Sequence, residues 1–259
     1  MATTIDQGVP GAQDDFTVVT TNGTQVVGTF VPDANQQNVV ISPPQSGEPL
    51  VDVGVQVNPG VNSVTTFSAS SINSVFSGSE LNNQVFFDGD AVNAQVNTGA
   101  GNDRVEFNGA LGGFVDLGDG TDKIRSQGQF KDVEANFGTG RDRLRALEDV
   151  RRSSIDAGEG DDTLVFGGDV RRADLFGGAG ADTFTFRGTV RNTNIDLGGT
   201  DGGADVIDFR NQTAEQLQSA GIVISGADEG DKLVIGGDEY LYDSQSDGWV
   251  SGTDTLFFN

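Results

Sequence analysis

Five copies of one short phrase, GAGNDRVE, GDGTDKIR, GTGRDRLR, GEGDDTLV and GAGADTFT, recur between residues 99 and 185 and constrain the fold more than any other feature. Their leading glycines, Gly99, Gly118, Gly138, Gly158 and Gly178, followed by Gly198, are spaced by 19, 20, 20, 20 and 20 residues, and Asp103, Asp122, Asp142, Asp162 and Asp182 keep step with them. A period of this length marks a solenoid, because one repeat cannot bury its apolar side alone and must lay it on the next.

Within each repeat the residues after the aspartate alternate between polar and apolar. This aligns Val105, Ile124, Leu144, Leu164 and Phe184 in one inward column and Phe107, Ala146, Phe166 and Phe186 in another. Period two means strand. A turn follows, and a second strand contributes the columns Leu111, Phe130, Val150, Val170, Val190 and Val115, Ala135, Ile155, Leu175, Ile195. Two short strands and two turns per coil, with like strands paired in parallel, define an all-β chain: a right-handed parallel β-helix or β-roll with β-rich caps at both ends.

The loops carry the chemistry. Glycine permits the turn and lets carbonyls face an ion, while aspartate supplies a hard anionic oxygen, so loops one coil apart can together offer Ca²⁺ its six or more oxygens. Carboxylates of neighbouring coils would stand about 5 Å apart, and at an effective dielectric of ~20 each adjacent pair costs roughly 3 kcal/mol, so a bare ladder calls for a cation. Residues 97–210 resemble the repeats-in-toxin, or hemolysin-type, calcium-binding family, whose nonapeptide matches G-x-G-x-D-x-(apolar)-x. The resemblance implies side-chain ligands at Asp103, Asp122, Asp142, Asp162 and Asp182, with Asp205 in an altered sixth loop. It makes Gly99, Gly101, Gly118, Gly120, Gly138, Gly140, Gly158, Gly160, Gly178 and Gly180 carbonyl ligands or turn formers. That family commonly carries two nonapeptides per coil; this chain has one per twenty residues, which predicts a single row of ions along one edge.

Charge and composition narrow the rest. Thirty-nine acids against fifteen bases give a net charge of −24, which disfavours nucleic acid and anionic membranes as partners and favours cations. Without Cys or His, disulfides, zinc sites, thiol nucleophiles and imidazole catalysis are excluded. Residues 1–98 hold nine acids and no base, 99–198 eighteen acids and thirteen bases, and 199–259 twelve acids and two bases. Some of the bases form a second ladder, Lys131, Arg151, Arg171 and Arg191, with Arg152 and Arg172 beside it. This stripe either pairs with Asp132, Asp149 and Asp169 or grips an acidic polysaccharide or an acidic end of another copy.

The chain divides into an N-terminal β segment and assembly region (1–60), a calcium-binding solenoid (61–210) whose coils at 61–95 are degenerate, and a C-terminal cap (211–259). In the first, FTVVT and QVVGTFV are read as a hairpin around Thr21-Asn22-Gly23-Thr24, the proline-broken VPDANQQNVVISPPQSGEP as a surface excursion, and LVDVGVQV as one strand. In the degenerate coils the core columns persist, but Ser79, Leu81 and Asn83 replace the loop glycines and aspartate. In the cap, NQTAEQLQSAG is the one helix signal, with Thr213 as N-cap, and short strands follow. The N-terminus has no basic or apolar leader, no run reaches membrane-spanning length, and the acidic, Phe-ending GTDTLFFN fits the uncleaved type I secretion signal that the resemblance implies. The expected protein is a secreted, extracellular or cell-surface structural protein that folds on Ca²⁺ and assembles with copies of itself. The alternatives are a calcium-dependent module for acidic polysaccharide and, behind it, a polysaccharide lyase or epimerase; the first two readings make it no enzyme.

Overall fold

The computed structural model describes residues 3–5, 16–20, 27–33, 36–43, 47–57, 60, 62–199 and 203–258. Among these the chain is a β-solenoid of stacked coils of about twenty residues. One fourteen-stranded sheet collects the strand that follows each loop, including Asn83–Phe87, Arg104–Phe107, Lys123–Ser126, Arg143–Ala146, Thr163–Phe166 and Thr183–Phe186. A sixteen-stranded sheet collects the returning strands, from Val53–Val57 through Leu111–Asp116 and Phe130–Asn136 to Ile222–Ser225. Coil-to-coil pairing is parallel and in register, as in Val105↔Ile124, Ile124↔Leu144 and Leu144↔Leu164.

The core is the set of columns read from the alternation. Val105, Ile124, Leu144, Leu164 and Phe184 are buried, and so are Leu111, Phe130, Val150, Val170 and Val190. Aromatic rings stack along the axis at both ends: Phe67, Phe87 and Phe107 at 4.5 and 5.0 Å, and Phe166, Phe186 and Phe209 at 5.0 Å each. Between them the column shrinks to Ser126 and Ala146, and the coils concerned carry the fully buried Phe130 and Phe137, so interior volume is exchanged between columns rather than lost. The buried Ser126 hydroxyl donates to the Gly128 carbonyl (2.9 Å).

The returning strands bend at one corner in a left-handed residue: Asp52, Asn73, Asn93, Asp132, Arg152, Arg172 and Asn192 all have φ between 49° and 56°. Short polar side chains tolerate this conformation; arginine there costs about 1 kcal/mol or more. The single 19-residue step has its origin at this corner. Ala91 pairs with Leu111 but Ala94 with Gly113, so the coil at 111–116 lacks one residue and Gly113 absorbs the shortcut at φ +135°.

Several N-terminal expectations are revised. Phe16–Thr20 and Val27–Asp33 lie in different sheets and form no hairpin with each other; the Asn22-Gly23 turn falls outside the described residues. Instead Val27–Asp33 pairs antiparallel with Gln36–Ser42, inside the stretch read as an excursion, and Gln36–Ser42 then pairs in parallel with Asn62–Phe67. Alternation in NVVIS outweighed the nearby prolines. The strand LVDVGVQV is cut at Asp52, the first left-handed corner. The sheets run without interruption past residue 60 and past residue 210.

At the far end Thr213 caps the helix Ala214–Gln218 in a reciprocal capping box with Gln216, and Leu217 is buried. Ile222–Ser225 and Lys232–Ile235 continue the parallel stack, so the tail is partly solenoid. Asp238–Asp243, Gly248–Ser251 and Asp254–Leu256 then close one sheet antiparallel. At the other end Thr3–Ile5, Phe16–Thr20 and Val27–Asp33 likewise pair antiparallel.

Candidate metal-binding edge

The Gly-x-Gly loops stack as tightly as the strands. Gly99, Gly118, Gly138, Gly158 and Gly178 sit near φ +90°, and a Cβ on Gly140 would come within 1.5 Å of the Gly120 carbonyl oxygen, so the second glycine is dictated by coil spacing. The loop backbones bond to each other: the N–H groups of Asp119, Thr139, Glu159 and Ala179 donate to the carbonyls of Gly99, Gly118, Gly138 and Gly158 (2.8–3.2 Å). The first glycines are therefore turn formers whose carbonyls spend one of two lone pairs on the neighbouring coil.

The aspartates do not project into solvent. Asp103, Asp122, Asp142, Asp162, Asp182 and Asp205 are 0–3% exposed and form one continuous internal ladder. The N–H of each donates to Oδ1 of the next: Asp103 to Asp122 (2.7 Å), Asp122 to Asp142 (2.7 Å), Asp142 to Asp162 (2.6 Å), Asp162 to Asp182 (2.8 Å) and Asp182 to Asp205 (2.7 Å). Asp205 thus holds its rung although it comes three residues late, the extra residues being absorbed between Gly198 and Asp205. The ladder also extends past the sequence reading, because Asp205 N–H donates to Oδ1 of Asp231 (2.8 Å), buried in the tail. The sequence signal was present in DKLVI, the same acid-then-alternation that follows each loop, but Ala227 and Glu229 stand where the two loop glycines would be.

One oxygen of each carboxyl is thereby satisfied. The other, Oδ2 of Asp103, Asp122, Asp142 and Asp162, is sealed from solvent and meets no hydrogen-bond donor among the described residues. What surrounds it can be read from the rung where the acid is missing. At Asn83 the side-chain amide donates to three backbone carbonyls, those of Ser79 (3.2 Å), Leu81 (2.5 Å) and Thr98 (3.0 Å), while Asn83 N–H donates to Asp103 Oδ1 (2.6 Å). The parallel register puts Gly99, Gly101 and Leu117 in the corresponding positions around Asp103. Replacing the amide by a carboxylate turns a donor among three acceptors into a fourth acceptor.

Such a nest of oxygens is electrostatically incomplete without a positive species. Burial pushes the carboxyls of Asp122 and Asp142 up to about 7 and those of Asp103 and Asp162 up to about 6, with the accepted N–H bonds only partly opposing it. Neighbouring carboxylates raise Asp122 further. A hard divalent cation fits this donor set by chemistry, since carboxylate and carbonyl oxygens are its preferred ligands. Among the described residues no three acidic side chains converge on one point, so backbone carbonyls would supply most of the coordination.

The arginine stripe is half neutralised. Arg152 clamps Asp132 one coil below through Nε to Oδ1 (2.6 Å) and Nη2 to Oδ2 (2.7 Å), Arg171 pairs with Asp169 (2.5 Å), and Arg151 pairs with Asp149. Arg172 and Arg191 make no ion pair among the described residues, nor does Lys131; Arg172 and Arg191, with Arg151, Arg152, Arg171 and Asn192, border a groove of about 370 Å³. No helix among the described residues is long and apolar enough to cross a membrane. Comparison with family models, with curated proteins and with solved structures finds no match, so the likeness to hemolysin-type repeats rests on the loop motif itself.

Proposed function

We propose that the chain is a secreted calcium-binding structural protein whose coils fold on Ca²⁺ and which assembles with copies of itself outside the cell. The observation that carries the calcium assignment is the contrast between Asn83, whose amide satisfies three carbonyls, and Asp103, Asp122, Asp142 and Asp162, whose Oδ2 atoms meet no donor among the described residues. Asp103, Asp122, Asp142, Asp162, Asp182 and Asp205 would hold the ions together with carbonyls of the Gly-x-Gly loops. Bound calcium would neutralise the ladder, and because it binds the native loops and not the dispersed chain, its binding free energy adds to stability. The chain's own residues fix the turn geometry, exclude water from the carboxyls and set the coil spacing. The structural role is supported by a repeat that fills the middle of the molecule, and the proposal assigns no catalytic group. Circular dichroism of chelated protein titrated with Ca²⁺ should show strand signal rising to a plateau. A spectrum and thermal midpoint indifferent to chelator overturn the reading.

A second reading, a calcium-dependent module for acidic polysaccharide, is favoured at the corner stripe by the unpaired Arg172 and Arg191. With Arg151, Arg152 and Arg171 occupied internally, that stripe is weaker than its sequence suggests.

A further inference from the structure

A chain with thirty-nine acids and fifteen bases has ample means to pair every base, so bases left unpaired side by side require a reason. Among the described residues the largest such group lies away from the corner stripe, on the outward face of the sheet that follows the loops. Lys123 pairs across the sheet with Arg143, and Arg125 with Arg145, in two adjacent coils. On each strand the two bases flank an inward residue, Ile124 or Leu144, so all four side chains leave the same face. None makes an ion pair among the described residues, and Arg125 Nε is shielded from solvent without a hydrogen-bond partner. Arg104, one coil earlier, is taken up by Glu106.

Like charges directly opposite each other on parallel strands are unfavourable, and here two such pairs stand side by side. They border a shallow cavity of about 230 Å³. The grid repeats at about 4.8 Å from coil to coil and roughly 6.6 Å along each strand. Three guanidinium groups are suited to oxyanions, and the Arg152–Asp132 clamp shows this solenoid making the two-pronged contact with a carboxylate one coil away.

We propose that Lys123, Arg125, Arg143 and Arg145 form a binding face for a linear acidic polysaccharide, whose regularly spaced carboxylate or sulfate groups run along the solenoid axis. The four basic residues bring no aromatic side chain on which the bases of a nucleic acid would stack, and guanidinium groups at a regular short spacing suit a linear chain with one carboxylate or sulfate per unit, which favours a saccharide chain as the occupant. The face stands on residues outside the calcium ladder and does not depend on the structural reading above.

The test uses the full-length, calcium-loaded protein and fluorescence anisotropy with labelled oligogalacturonate, a sulfated oligosaccharide, neutral cello-oligosaccharide and oligo-dT. Binding of the uronate or the sulfated probe, weakened by salt and absent for the neutral one, is expected, and the preferred probe identifies the anionic group. Arg125→Gln with Arg145→Gln should weaken that binding about tenfold, two exposed charge contacts contributing up to ~0.7 kcal/mol each. Lys131→Gln with Arg187→Gln, which removes the same charge elsewhere, should leave it unchanged. Circular dichroism in calcium verifies that each variant is folded. The proposal is overturned by equal binding of the neutral probe, by oligo-dT binding as tightly as the anionic saccharides, or by no effect of the Arg125/Arg145 pair. It is equally overturned if neutralising the grid alters calcium affinity alone, which would make these bases a counter-charge to the buried aspartates.

Discussion

At the scale of single residues, the choice between Asn and Asp on one rung decides whether the interior is complete. Asn83 brings its own donors to the loop carbonyls; Asp142, between two other acidic rungs, brings an acceptor to the same kind of place and leaves Oδ2 without a donor among the described residues. An unsatisfied buried polar group costs about 1–3 kcal/mol. Asp142→Asn should therefore raise the thermal midpoint of the chelated protein while lowering the number of calcium ions taken up and the stabilisation they give. Asp142→Ala should lower both. Differential scanning calorimetry with and without chelator, together with calcium stoichiometry from calorimetric titration, separates these outcomes, and an Asn variant destabilised in chelator as much as the Ala variant refutes the acceptor-nest argument.

At the scale of coils and sheets, what was legible in the sequence is what repeats. The inward columns and the loop register follow from period and spacing, because each coil solves the same packing problem, while the Thr213 cap follows from local capping chemistry. The exceptions were hidden where the period breaks: Asp231 lacks both loop glycines, with Ala227 and Glu229 in their places, and Gln36–Ser42 was masked by neighbouring prolines. The Lys123–Arg145 grid stands in DKIR and DRLR, but the period-two signal marks the inward residues and places no constraint on the outward ones, so only the paired register brings the four bases together. The ladder also has a collective titration. Asp103, Asp122, Asp142 and Asp162 bind protons up to about 6 or 7 in the folded chain against an ordinary 3.8, so between pH 4 and 7 the native state holds more protons than the unfolded one. Stability of the calcium-free chain must then fall as pH rises through that window. Exposed pairs such as Asp132 with Arg152 and Asp161 with Arg141, whose carboxyls are held below the usual range, act the other way and are lost only at lower pH. Thermal unfolding in chelator should show its optimum on the acid side of neutrality. In calcium the order reverses, because the ion replaces protons and binds more weakly as pH drops from 7 to 6. Midpoints that rise with pH in chelator would contradict burial as the cause of the raised carboxyls.

At the scale of the whole molecule, the ends bear on assembly. A parallel solenoid exposes unpaired strand edges wherever its stack stops, and such edges template further pairing. At the N-terminal end both sheets finish on antiparallel strands, Thr3–Ile5 and Phe16–Thr20 beyond Val53–Val57 and Val27–Asp33 beyond Gln36–Ser42, whereas at the other end one sheet finishes on the antiparallel meander Asp238–Leu256 beyond Lys232–Ile235 and the other on the parallel strand Ile222–Ser225. In addition, Ile224 N–H donates to the Phe258 carbonyl (2.9 Å), closing the last parallel strand of the other sheet. Continuation of the parallel stack from copy to copy is opposed by antiparallel strands on both sheets at the N-terminal end and on one sheet at the other, so the proposed assembly must join exterior faces, with calcium screening the repulsion between chains of net charge −24. Removing residues 1–33 tests the division of labour. The acidic ladder begins at Asp103, several coils away, so calcium uptake should be unchanged. The uncovered edges of Gln36–Ser42 and Val53–Val57 should then pair between copies and give fibres that grow without calcium, whereas the intact chain scatters light only after millimolar calcium is added. An intact chain that stays monomeric in calcium removes the assembly proposal, and a truncated chain that stays monomeric shows that the antiparallel strands are not what restrains growth at the ends.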